Sequence, residues 1–240
     1  MKKTNRTFAP HFSRSFIKAI DNWMAGSIGK AQKARKIIEL LKSENVETSA
    51  KRCDEPCFRR SVLVGPAVTD LCFRFYVKEE TSSWTTDPTV AALFKGGPPN
   101  PPNPGVIFKR SPQPKEVVLN LPRLFEHERF WPSVEHWEQL GLNVGKGLRK
   151  FPDQREVILT VDEVPHNQVY AFGSNSAQTW VDGNVTGVTF VGQTKLDADE
   201  ITNVFREFDI PTKRWVFEDR AQYVYNEWLK RVMKRLNIRF

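Results

Sequence analysis

Cysteine is scarce in this chain: Cys53, Cys57 and Cys72 are all it has. Three thiols cannot build a disulfide framework, and their number fits a reducing compartment. Cys53 and Cys57 have a gap of three residues between them and no second ligand pair, so their spacing does not define a zinc site. Histidine is nearly as rare, and none of His11, His127, His136 and His166 forms a helical pair at ligand spacing. No metal is expected. Long apolar runs are missing too, and without a run of about 18 such residues no membrane-spanning helix is expected. The start, MKKTNRTFAPHFSRSF, has the charge of a signal peptide but not its apolar middle, which makes the cytoplasm the expected location.

What the chain does have is enough length and apolar content for a real core. Its 240 residues are 40% hydrophobic and 12% aromatic, which argues against general disorder and allows one large domain or two modest ones. The net charge of +8 concentrates in Lys30 to Lys42 and in Lys230 to Arg239. Both runs lie on helical patterns, and a solvated basic face is the commoner meaning of such runs; an anionic substrate or partner, nucleic acid included, stays open.

Periodicity places the elements. From Ser13 to Leu41 the apolar residues Phe16, Ile17, Ile20, Trp23 and Met24, then Ile37, Ile38 and Leu41, recur at helical spacing, with Gly26 and Gly29 between them. A basic helical hairpin or two helices are expected there. Two β-favouring runs follow, FRRSVLVG at 58–65 and LCFRFYV at 71–77. In ETSSWTTDPTVAALFKGG at 80–97, Asp87 is placed to cap a helix, Pro88 suits its first position and Gly96 its left-handed stop. GGPPNPPNPG at 96–105 is too rich in proline for helix or central strand.

Further strands are expected at GVIFKR, KEVVLNL, Glu156 to Val161, VYAF and GVTFVGQ. Helices are expected around LFEHERFWPSVEHWEQL, from about Asp197, and at the C-terminus. There Ala221, Tyr225, Trp228, Leu229, Val232 and Leu236 form one face. GLNVGKG at 141–147 has Gly147 where a phosphate-cradling loop needs Ser or Thr, and is expected to be a mobile loop. Irregular interleaving of strands and helices makes the fold class α+β.

Residues two apart on an extended segment share a face, so Ser83 and Thr85 are expected to point the same way, and so are Gln154 and Glu156. Trp84 alternates to the other face and is expected in the core. With Arg59 and Arg60 in CFRRS at 57–61, SSWTTDPTVAALF at 82–94 and DQREVIL at 153–159, the chain resembles mono-ADP-ribosyltransferases. Their signature runs arginine, then serine or threonine, then glutamate preceded two positions back by Glu or Gln. The resemblance covers about Cys57 to Pro165; its hydroxyl and REVIL pieces are the specific ones, and Phe58 and Arg60 stand where a tyrosine and a glycine often flank the arginine.

The resemblance implies two small packed β-sheets around an NAD cleft, flanked by helices. It implies a catalytic core at 51–170 and leaves unassigned a basic helical segment at 1–50 and a strand and helix extension at 171–240, which is either part of the same domain or a target-recognition element. NAD would be the substrate, with no metal, and the acceptor a protein side chain or a nucleic acid. Glu156 would stabilise the ribosyl cation, with Gln154 facing the acceptor. Arg59 or Arg60, Ser83 and Thr85 would bind NAD. A glutamine at position 154 is similar to enzymes that modify amide side chains or nucleobases. The setting implied is bacterial or phage. The residues alone leave open a basic nucleic-acid-binding module, which needs no NAD, and a non-catalytic interaction protein.

Overall fold

The structure, a computed structural model, describes residues 9–26, 29–44, 46–74, 76–78, 80–99, 104–144, 147–150, 152–174, 188–189, 195–196, 214–235 and 237. It is α+β, and the chain divides into two compact units, each built from three separate stretches: Met1–Glu55, Glu80–Trp84 and Pro112–Thr160 in the first, Pro56–Glu79, Thr85–Ser111 and Val161–Phe240 in the second.

The first unit opens with helices α1 (Arg14–Met24) and α2 (Lys30–Leu40), the expected hairpin. Ser13 starts α1 by accepting the Phe16 amide at 3.1 Å, and Gly29, at φ +67°, sets up α2 in a left-handed conformation that glycine adopts without strain. In the second unit come β1 (Cys57–Val62), α3 (Gly65–Arg74) and β2 (Tyr76–Lys78). Here the expectation fails in part: residues 71–74 of LCFRFYV are helical. Pro66 suits a first helical turn, and Val68, Leu71 and Cys72 are buried at helical spacing while Phe73 is 62% exposed, so tertiary packing overrides the local β preference. Strand β3 (Thr81–Thr85) contributes Thr81–Trp84 to the first unit and Thr85 to the second.

Helix α4 (Pro88–Leu93) follows as expected, with Asp87 accepting the Thr89 amide at 2.8 Å and Gly96 left-handed at its far side. Next are β4 (Gly105–Arg110), β5 (Val117–Asn120), α5 (Leu121–Phe125), α6 (Phe130–Gln139), β6 (Glu156–Thr160), β7 (Glu163–Pro165) and β8 (Val169–Ser174). The short β9 (Val188–Thr189) and β10 (Lys195–Leu196) pair antiparallel, and β11 (Arg214–Phe217) leads into α7 (Glu218–Arg235). The helix expected from Asp197 lies outside the described residues, as do Leu236 and most of GVTFVGQ.

Within the first unit the strand order is β3-β6-β5. Its core joins Phe12, Phe16, Ile17, Ile20 and Trp23 of the N-terminal segment to Leu119, Leu121, Phe130, Val134 and Ile158. Those large side chains are almost wholly removed from water, each contributing roughly 1.5–3 kcal/mol of transfer free energy. The second unit orders its strands β11-β8-β4-β1, all antiparallel. Phe58, Ala91, Ile107 and Ala171 cluster there, and Trp215 packs on them while donating its indole N–H to the Ala92 carbonyl at 2.8 Å. The expected face of α7 is buried at Ala221, Tyr225, Trp228, Leu229 and Val232, and Phe172 lies 5.8 Å and 5.5 Å from the Tyr225 and Trp228 rings.

Of the glycine-rich segment at 141–147, residues 141–144 and 147 are described, and its C-terminal end has a defined partner. Asp21, 1% exposed on α1, accepts the amides of Gly147 at 3.0 Å and Leu148 at 3.2 Å, so the C-terminal end of the loop is anchored. A Cβ on Gly147 would stand 2.2 Å from the Asp21 carbonyl oxygen and 2.7 Å from the Ala25 nitrogen. Only glycine lets the two backbones come so close.

Candidate active site

Glu156 is the first residue of β6 and is only 6% exposed. A carboxylate taken so far out of water needs partners that replace hydration. The indole N–H of Trp23, from the last turn of α1, donates to Glu156 Oε1 at 2.5 Å, and Lys30 Nζ lies 3.8 Å from the same oxygen. The Lys30 ammonium also donates to Ser83 Oγ at 2.9 Å and to the Trp23 carbonyl at 3.1 Å, and it stands 3.7 Å from the centre of the Trp23 ring. Every one of these groups belongs to the first unit. Carboxylate, hydroxyl, backbone carbonyl and indole ring therefore converge around one atom, the ammonium nitrogen Lys30 Nζ.

Local sequence explains how. The left-handed Gly29 makes Lys30 the first residue of α2, close to where α1 ends. A carbonyl in the last turn of a helix has no partner inside it, and the negative end of the helix dipole favours a cation there. Lys33 does the same for the Gly26 carbonyl at 3.1 Å. Alternation along β3 buries Ser82 and Trp84 and leaves Ser83 half-buried, aimed at the ammonium. Trp84 is in the core at 1% exposure, and its indole N–H donates to Ser82 Oγ at 3.0 Å.

The other residues singled out in the sequence have separate surroundings. Gln154 ends a short 3₁₀ turn, Pro152–Gln154, and is half-buried. Arg155 then takes φ +45°, and the strand starts only at Glu156, so Gln154 and Glu156 do not share a strand face. The alternation rule fails because it needs extended backbone at every intervening residue. Arg155 pairs with Glu55 at 3.5 Å. Thr85, Arg59 and Arg60 are in the second unit. Thr85 Oγ1 accepts the Asp87 amide at 3.1 Å, which ties that hydroxyl to the turn before α4. Arg59 lies opposite Phe108 and Arg60 opposite Ile107 in the β1–β4 ladder, both half-buried. Arg60 Nε donates to the Gly97 carbonyl at 3.1 Å, and burial lowers its pKa from the ordinary guanidinium value.

Lys30 and Trp23 were not among the residues the sequence pointed to. Each fits a helical pattern there, Lys30 as part of a basic face and Trp23 as part of an apolar stripe, and no spacing rule links them to a strand more than a hundred residues on. Among the described residues no group of three or more His, Cys, Asp and Glu is arranged to hold a metal ion, and no helix is long and apolar enough to cross a membrane. No family model, curated protein or solved structure matches the chain.

Proposed function

We propose that this protein cleaves NAD at the bond between nicotinamide and ribose and transfers ADP-ribose to a macromolecular acceptor, a protein side chain or a nucleic acid. The observation that carries the reading is the approach of Glu156 Oε1 and Ser83 Oγ to within 3.8 Å and 2.9 Å of one shared atom. They are the carboxylate and the hydroxyl that the reaction requires, and they come from distant parts of the chain.

In the reaction the C1′–N bond breaks and nicotinamide leaves with the bonding electron pair, so positive charge develops on the ribose. A fixed, largely dehydrated carboxylate beside that carbon favours the transition state over the ground state. Glu156 takes this role. The Trp23 indole N–H fixes the rotamer of Glu156, as preorganisation requires. Ser83 offers a hydroxyl to the ribose. Arg59, Arg60 and Thr85, which the resemblance implies as further NAD contacts, belong to the second unit and are given no part in this step. Gln154, two residues before Glu156, can donate and accept hydrogen bonds to orient the acceptor. The acceptor's lone pair forms the new bond to C1′, and its proton is released to solvent.

The test is nicotinamide release from NAD labelled in the nicotinamide ring, with and without cell lysate. Glu156→Gln should lower release at least about a hundredfold, the scale on which one electrostatic stabiliser acts, and leave the unfolding free energy within about 1 kcal/mol. A wild-type protein that releases no nicotinamide, or a folded Glu156→Gln variant that retains the rate, overturns the reading.

A further inference from the structure

We propose that the groups around Lys30 Nζ form a binding site for a small organic cation, which Lys30 occupies as a tethered ligand until an incoming cation displaces it. The ammonium has what such a site gives its ligand. An aromatic face lies 3.7 Å away, two oxygens accept at 2.9 Å and 3.1 Å, and a carboxylate oxygen lies at 3.8 Å. Trp23 is wholly buried and Glu156 nearly so, while the Lys30 side chain keeps 28% of its surface exposed. The lysine is thus the layer between solvent and the aromatic and acidic walls.

Lys30 is also the group best able to leave. Its flexible stem regains rotamer freedom on withdrawal, and its side chain already reaches solvent. Transfer chemistry gives a further reason for it to go. Positive charge developing on a ribose beside Glu156 would meet a like charge already within 4 Å of the carboxylate oxygen. This part rests on the proposed function, under which the entering cation is the pyridinium end of NAD. The ring stacks on Trp23, its charge replaces that of the ammonium, and Lys30 swings out to water. The site therefore selects for charge, and a neutral ring of the same shape has no means of displacing the lysine.

The experiment is calorimetric titration with 1-methylnicotinamide, an N-alkylpyridinium, and with neutral nicotinamide, on the wild type, Lys30→Ala and Lys30→Met. Lys30→Ala opens the site and should bind the pyridinium at least tenfold more tightly than the wild type. Lys30→Met keeps the space filled and should show no such gain, and nicotinamide should distinguish none of the three. On the wild type, saturating pyridinium should speed reductive methylation of Lys30, read by peptide mass spectrometry, a measurement that needs no folded variant. Unchanged pyridinium affinity in folded Lys30→Ala, an equal gain for neutral nicotinamide, or methylation of Lys30 that does not respond to pyridinium overturns the proposal. A gain in cation binding with no NAD cleavage by any form upholds the cation site and overturns the transferase reading. NAD cleavage lost in Lys30→Ala without any gain in cation binding does the opposite.

Discussion

Replacing Asp21 by alanine should destabilise the first unit severely, although Asp21 is one carboxylate on one helix. The side chain is 1% exposed and accepts two buried amides, from Gly147 and Leu148, at 3.0 Å and 3.2 Å. Hydrogen bonds to a charged acceptor contribute about 1.5–3 kcal/mol each, and deletion leaves both donors buried without their acceptor. The ion pair with Lys18 at 3.2 Å adds little, because the lysine side chain is 40% exposed. A loss of about 3–5 kcal/mol is expected, a large share of the roughly 5–15 kcal/mol that holds a typical native protein together. At a urea m-value near 2 kcal/mol/M, the midpoint should fall by about 2 M. Asp21→Asn keeps an oxygen acceptor and loses only the charge, so it should cost about 1–2 kcal/mol. Urea unfolding followed by circular dichroism and tryptophan fluorescence measures both. If Asp21→Ala costs under 1 kcal/mol, or if asparagine is as damaging as alanine, the two amide bonds are not what anchors the loop.

Two further predictions concern the second unit. Burial pushes the Cys72 thiol up to about 11, so at pH 8 only roughly a thousandth of it is thiolate, and alkylation should be far slower than at the less buried Cys53. Because the folded state holds that proton more tightly than the unfolded chain does, the resulting stability is present below about pH 9 and lost as pH rises toward 11. Urea midpoints that stay flat across that window in the wild type but fall in Cys72→Ser would contradict the assignment. Tyr225 is wholly buried, and among the described residues its hydroxyl has no hydrogen-bond partner. Tyr225→Phe should therefore raise the melting temperature by about 2–4 °C, corresponding to about 1 kcal/mol, and a decrease would mean that the hydroxyl is well accommodated.

The local framework was legible because it depends on near neighbours. Ser13 and Asp87 cap helices, Gly29 turns the chain, and the stripe on α7 faces inward, all from signals a few residues long. LCFRFYV misled because aromatic and β-branched content favours a strand, while burial of Val68, Leu71 and Cys72 on one face decides for a helix. The site was legible only in part. Ser83 and Glu156 carry recognisable chemistry, but Lys30 and Trp23 become neighbours of Glu156 through tertiary contacts that no local period encodes. Asp21 did leave a trace, since it lies on the same stripe as Ile17, Ile20 and Met24, and a charge on an apolar stripe requires a partner. That partner proved to be the glycine-rich loop. Gln154 shows the converse, because a single left-handed residue, Arg155, cancels the alternation expected from the sequence.

The way the first unit is cut from the chain sets an order of events during synthesis. Trp23 and Glu156 are 133 residues apart. On a ribosome adding roughly 5–20 residues per second, α1 therefore waits about 7–27 s before the carboxylate that engages its tryptophan has been made. Throughout that interval Phe12, Phe16, Ile17 and Trp23 lack the strand that closes their core, and the nascent helical hairpin presents a basic surface with an aromatic one beside it. The unit bearing the candidate site becomes complete when Thr160 is added, while the other unit still awaits β8, β11 and α7. The unit that carries the candidate site is thus the first to have its whole sequence synthesised, and until then its N-terminal helices are the part of the nascent chain most in need of a chaperone.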